Sequence, residues 1–248
     1  MCVIGKLTSG TIAAAGLLAY HAYSPSSQLF GAALSRCPDP RDLALTYDDG
    51  PNDIHTERLL EILARHEVKA TFFLIGRFVK ARPQIARSIV SAGHLVANHT
   101  VNHPNLLLQS RRNIVRELSD CSQIIADATG VMPRFFRPPY GARRPAVLTA
   151  ARELGLEPVM WDVTCFDWRP TTTDTVEHHA RKRIERDRTH GHIILFHDGG
   201  HTGLGADRAH SVEATERLIQ RYKGTHRFCR VDEIQPRAAE ARTALSSA

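Results

Sequence analysis

An α/β fold, a barrel or partial barrel on a parallel sheet, is what this sequence predicts, and three observations predict it. Short apolar runs alternate with longer helix-patterned stretches from Arg41 onward, as expected of strands joined by crossover helices. Seven such runs follow one another without a break, which fits one barrel better than two domains. Acid, imidazole and guanidinium groups cluster directly after five of the runs, where strand ends of such folds carry chemistry.

Taken in order, strands are expected over 42–47, 70–75, 94–97, 134–137, 157–161, 192–196 and 227–231. Helices are expected near 55–66, 83–92, 110–129, 144–154, 173–187 and 210–223. Pro83 and Pro145 sit at helix starts, where a missing N–H costs nothing. Gly93, Gly130 and Gly155 sit at helix ends. Ahead of this domain, residues 1–23 carry Lys6 as their one charged side chain, and Thr11 to Tyr20 is a small apolar block. That pattern reads as a signal peptide or a membrane anchor, so the protein is expected outside the cytoplasm, secreted or tethered. The competing reading is an apolar N-terminal helix of a cytosolic protein. Residues 24–40 read as a linker, 41–235 as the domain, and 236–248 as a flexible tail.

With 248 residues the chain can bury a core without staples. Its net charge of +6 is spread along the chain, with no glycine-rich phosphate loop and no basic ridge interleaved with aromatics. Nucleic acid is therefore not an expected partner; an anionic envelope polymer or a membrane surface would suit the charge, and a generic solvated basic surface suits it better than either. The five cysteines, Cys2, Cys37, Cys121, Cys165 and Cys229, form no CxxC pair. That spacing argues against a thiolate metal site, and an odd, scattered set is no disulfide framework, although one bridge stays open in an exported domain.

The first strand ends in Asp48 and Asp49, followed by the turn-makers Gly50 and Pro51. Buried carboxylates need compensation, and strand alternation would send these two to opposite faces. His99 and His103 are four apart; on a helical turn they would share a face and chelate one ion. Alone, HxxxH means little in a chain with fourteen histidines. With Asp49 it offers two imidazoles and a carboxylate, a donor set suited to Zn²⁺, with Co²⁺ or another divalent ion as substitute. His178, His179, His201 and His210 read as surface residues, His201 being the one nearest the rim.

These residues fall into five ordered motifs: Thr46-Tyr47-Asp48-Asp49-Gly50-Pro51, His99-Thr100-Val101-Asn102-His103, Arg137-Pro138-Pro139-Tyr140-Gly141, Asp167-Trp168 and Leu195-Phe196-His197-Asp198. In them the chain resembles the polysaccharide deacetylases of the NodB-homology type, carbohydrate esterase family 4. The motifs span 46–198, and the strand pattern extends the likeness to about 41–234. Tyr47 stands where the family usually has Phe, and Thr164 where many members have Asp. The resemblance implies a distorted (β/α) barrel of about seven parallel strands and a metal-dependent N-deacetylase. It implies that Asp49, His99 and His103 hold the metal and that Asp48 is the general base, paired with Arg137. It implies His197 as general acid oriented by Asp167, the Tyr140 backbone N–H as oxyanion donor, and Trp168 and Leu195 as walls for the acetyl methyl.

The implied substrate is an N-acetylglucosamine polymer, a chitin-like oligomer or peptidoglycan, acted on by a monomer. Two other readings stay open on sequence. The same groups could cleave an O-acetyl ester such as that of xylan, or a small amide. A catalytically silent glycan-binding protein on this fold is the third, although silence should cost at least one of the groups above.

Overall fold

The computed structural model describes residues 9–234, with side chains from residue 16. The expected tail at 236–248, and the first eight residues of the apolar N-terminal segment, lie outside the described residues. Eight parallel strands form one sheet: β1 (Asp42–Gly50), β2 (Thr71–Leu74), β3 (Leu95–Asn98), β4 (Phe135–Phe136), β5 (Glu157–Pro158), β6 (Val163–Thr164), β7 (His192–His197) and β8 (Arg227–Phe228). Seven run in the order β5-β4-β3-β2-β1-β7-β6, and β8 pairs with the start of β1. The expected distorted barrel is thus present as a curled, partly open sheet.

β1 is the central strand. All nine of its residues are buried, as a strand covered on both faces must be, and its apolar run reflects that. It pairs with β7 from Leu43 to Asp48 and with β2 from Thr46 to Gly50. Leu45, Tyr47, Phe72 and Phe196 pack with the helices in one core cluster. On the other face Phe73, Ala97, Met160 and Trp161 fill the concave side.

The helices are α1 (Ser9–Tyr23), α2 (His55–Arg65), α3 (Gly76–Ala81), α4 (Pro83–Ser91), α5 (Arg111–Thr129), α6 (Pro145–Glu153), α7 (Thr173–Arg186) and α8 (Ala209–Tyr222). Their ends follow local chemistry. Ser110 caps α5 by accepting the Asn113 N–H at 3.2 Å, and Gly130 closes it in the left-handed region at φ 76°. Pro83 opens α4 and forces Arg82 out of helical geometry, which separates α3 from α4.

The structure departs from the sequence reading in three places. β5 stops at Pro158, and a separate two-residue strand, β6, follows at Val163–Thr164. α3, six residues long, is too short for a periodic signal. Residues 24–40, expected as a linker, are bound to the sheet: Leu34 exchanges backbone hydrogen bonds with Pro158 and Met160, and Cys37 with Gly191. Among the described residues no helix is long and apolar enough to cross a membrane.

Candidate active site

At the C-terminal rim of the sheet a cavity of about 420 Å³ is lined by Asp48, Asp49, His99, His103, Tyr140, Trp168, Leu195 and His197. Arg137 and Asp167 stand directly behind it, bonded to Asp48 and His197. Every residue singled out in the sequence therefore reaches one site, although two of them arrive by an unexpected route.

Asp48 and Asp49 do not point to opposite faces. The register of β1 against β2 slips between Asp48 and Gly50, and Asp49 adopts φ 71°. This bulge turns both carboxylates into the cavity. Likewise the stretch 99–103 is a bend, not a helical turn. Thr100 and His103 take positive φ of 66° and 59°, and the two rings still meet, with centroids 4.9 Å apart. Left-handed non-glycine residues cost energy and persist where surrounding structure imposes them; here Asp49, His103 and Tyr140 line one cavity, and Thr100 lies between its two histidines.

Donor atoms of Asp49, His99 and His103 lie within 4.8 Å of one another. Asp49 Oδ1 is 3.3 Å from His103 Nε2 and 3.6 Å from His99 Nε2. Buried Asp49 Oδ1 has no hydrogen-bond partner among the described residues, an arrangement that a cation held between it and the two Nε2 atoms would relieve. Burial lowers His99 to about 3 and His103 to about 2, so both rings are neutral lone-pair donors near pH 7. His99 Nδ1 donates to the Arg137 carbonyl at 2.8 Å, which leaves Nε2 free to bind. The residues present therefore fit a divalent ion.

Arg137 is fully buried and lies 4.1 Å over the Phe73 ring. It donates to Asp48 Oδ1 at 2.7 Å, Thr46 Oγ1 at 2.9 Å and the Met160 carbonyl at 3.0 Å. Burial raises Asp48 above the usual carboxylate range, against the pull of Arg137. Arg137 by itself does not outweigh desolvation.

His197 shows the opposite balance. Burial lowers its pKa, but the charge and hydrogen bond of Asp167 outweigh that and raise it to about 9. Asp167 Oδ1 is 2.9 Å from His197 Nδ1, while Oδ2 accepts the His197 backbone N–H at 2.7 Å and Ser211 Oγ at 2.8 Å. His197 thus keeps a proton at neutral pH.

Several contributors were not read from sequence. His201, taken as surface, stacks on His103 at 4.6 Å and 19° and meets the Tyr140 ring edge-on. His210 donates to the Asp167 carbonyl at 2.7 Å. Asp198 is buried, accepts Thr56 Oγ1 at 2.5 Å and is raised to about 7 by burial. Trp161 and Arg208 also line the cavity. A histidine in the glycine-rich loop after His197-Asp198 was the one usable signal for His201.

Comparison with known proteins bears on what this rim does. Residues 35–159 match the polysaccharide deacetylase family model. A chitooligosaccharide deacetylase of Sinorhizobium fredii is 40% identical over 156 residues, covering 62% of this chain and 71% of that protein. A peptidoglycan-N-acetylglucosamine deacetylase of Bacillus cereus is 34% identical over 184 residues, covering 73% and 63%. Among solved structures, a peptidoglycan N-acetylglucosamine deacetylase in complex with an N-hydroxybenzamide superposes with TM-score 0.75 at 31% identity, covering 82% of this chain and 91% of that one. A carbohydrate esterase family 4 pseudoenzyme from Bacillus anthracis gives 0.73 at 30%, covering 82% and 68%. On the length of that family match and the closeness of these relatives, the chain belongs to the polysaccharide deacetylase family.

Proposed function

We propose that this chain is a metal-dependent hydrolase that removes N-acetyl groups from an N-acetylglucosamine polymer, a chitin-like oligomer or peptidoglycan. One observation carries the reading: a buried N₂O donor set, an arginine-paired carboxylate and an aspartate-held imidazolium line or directly back a single cavity. Asp49, His99 and His103 would hold the ion, for which Zn²⁺ fits the donors best, with Co²⁺ a workable substitute. A divalent ion bound there supplies Lewis acidity to the amide carbonyl and acidifies water from about 15.7 towards ~7.

The chain's own groups do the rest. Asp48, oriented by Arg137, takes the proton of the attacking water. The Tyr140 backbone N–H, presented by a left-handed residue at φ 60°, is placed to stabilise the developing oxyanion. His197 delivers a proton to the departing amine, and buried Asp167 balances its charge. Trp168 and Leu195 wall the acetyl methyl and exclude bulk water.

The pseudoenzyme neighbour shares this fold, so fold alone does not argue for turnover. What supports catalysis is the complete set Asp48, Asp49, His99, His103 and His197. The apolar residues 1–23 support action outside the cytoplasm, where an anionic envelope polymer would suit the basic charge. The test is acetate release from acetylated chitooligosaccharides and peptidoglycan by metal-loaded enzyme. Zn²⁺ or Co²⁺ should restore release to chelator-stripped protein, and Asp48→Asn should slow it by about 10²–10⁴-fold. Release only from acetylated xylan would shift the reading to an O-acetyl esterase, and metal binding without turnover on any acetylated substrate would overturn it.

A further inference from the structure

Far from the cavity, at the other rim of the sheet, a second pair of imidazoles converges on a carboxylate. His192 is the first residue of β7, His190 lies in the turn before it, and Asp162 immediately precedes β6. Asp162 Oδ2 is 2.6 Å from His192 Nδ1 and 3.1 Å from His190 Nε2. All three side chains are nearly inaccessible, at 1%, 2% and 8% exposure for Asp162, His192 and His190.

The arrangement repeats that of the catalytic cavity. The rings of His190 and His192 are 5.1 Å apart and inclined 58°, against 4.9 Å and 60° for His99 and His103. The outer contacts match too. His192 Nε2 donates to the Asp187 carbonyl at 2.9 Å, as His99 Nδ1 does to that of Arg137 at 2.8 Å. His190 Nδ1 lies 3.2 Å from Thr189 Oγ1 and 3.4 Å from Asp187 Oδ1. Asp162 is fixed by the Ile193 N–H, which donates to its Oδ1 at 2.9 Å. Oxygen partners on the far ring nitrogens are what orient metal-binding imidazoles.

We propose that Asp162, His190 and His192 form a second divalent-metal site, structural in role, taking Zn²⁺ or Co²⁺. Its donor set is the borderline N₂O type those ions prefer. Without an ion, a proton bridges Asp162 and His192 across their 2.6 Å contact. Binding releases that proton to solvent and requires the donors to separate to roughly 3.3 Å, the spacing of tetrahedral ligands about 2.0–2.1 Å from zinc. The short contact is that of Asp162 with His192, so Asp162, which lies just ahead of β6, supplies this movement, while His190 at 3.1 Å needs little. The bound ion ties the starts of β6 and β7 to the turn that follows α7. Lys182, Arg183 and Arg186 line the recess beside Asp162, so this site fills after the one in the cavity.

The test is metal stoichiometry on the full chain, stripped with chelator and dialysed against Zn²⁺, read by elemental analysis, with Co²⁺ absorption as second readout. The wild type should bind two equivalents. His190→Gln should bind one and keep its acetate-releasing activity. A His99→Ala/His103→Ala variant should still bind one, which separates this site from the catalytic reading. One equivalent in the wild type that is lost in the cavity variant would overturn the proposal, as would two equivalents persisting in His190→Gln. Should His190→Gln fail to fold, the wild type and cavity variant decide the matter alone.

Discussion

Asp167 holds His197 from two directions, through the ring and through the backbone N–H. Burial lowers the His197 pKa and the Asp167 contacts raise it further than that, to about 9 from the usual 6.5. The sign of the linkage follows: the protonated ring stabilises the fold fully below about 6.5, and this contribution is lost as pH rises through about 9. Imidazole NMR of metal-free protein should therefore show a midpoint near 9 for His197. Asp167→Asn should bring it down sharply, because burial is then opposed only by the charges of Asp49 and Asp48. A wild-type midpoint at or below 6.5 would contradict the pairing. Asp48 is raised by burial, so activity that needs its charged form declines as pH falls. Asp48→Asn should lower kcat by about 10²–10⁴-fold. It should leave metal content intact, since Asp49, His99 and His103 remain.

The end of β1 is where an element becomes a site. The bulge at Asp48–Gly50 aims both carboxylates inward, and the loop after β7 supports it from below. A Cβ on Gly199 would lie 2.3 Å from the Asp49 carbonyl oxygen, and one on Gly50 would lie 2.5 Å from Asp198 Oδ2. Gly199→Ala should therefore displace Asp49 and weaken Zn²⁺ binding at least tenfold, while circular dichroism stays native. Unchanged affinity in a calorimetric titration would show that the contact is slack. This element also marks what the sequence could convey. Asp48, Asp49, His99, His103 and His197 were legible because each follows an apolar run, and strand order places all run ends on one rim. The bulge was not legible, because it arises where β1 meets β2 and no local residue pattern announces it. Nor was the bend over 99–103, whose HxxxH spacing mimics a helical turn. β6 and α3 were missed because two and six residues carry no period. His210 and Ser211 were invisible as partners of Asp167 because 43 and 44 residues separate them from it.

At the scale of the molecule, the sheet order ends at β5 and β6, and residues 22–37 run along the β5 edge as a strap. Leu34 bonds to Pro158 and Met160 at 3.0 and 2.7 Å, and Cys37 exchanges bonds with Gly191 just before β7. The strap is fastened near the cavity by Arg143, itself buried. Arg143 donates to the carbonyls of Ser24 at 2.5 Å, Ser27 at 2.7 Å and Gly141 at 3.1 Å, and its backbone N–H donates to Ala22 at 3.0 Å. Gly141 follows Tyr140, so one guanidinium couples the strap to the cavity wall. Charged hydrogen bonds of this kind are each worth about 1.5–3 kcal/mol. Arg143→Ala should thus destabilise the protein by on the order of 3 kcal/mol, as an unpaired set of buried carbonyls is left behind. Hydrogen exchange should accelerate first over 22–37 and at Tyr140–Gly141, ahead of β1 and β2. Arg143→Lys keeps the charge but not the fork, and should fall between. If all three proteins protect 22–37 equally, the strap is held by its sheet contacts alone. Loosening at Tyr140 should also lower kcat more than it raises KM, because the backbone N–H proposed to stabilise the oxyanion moves while Asp48, Asp49 and His197 stay where β1 and β7 put them.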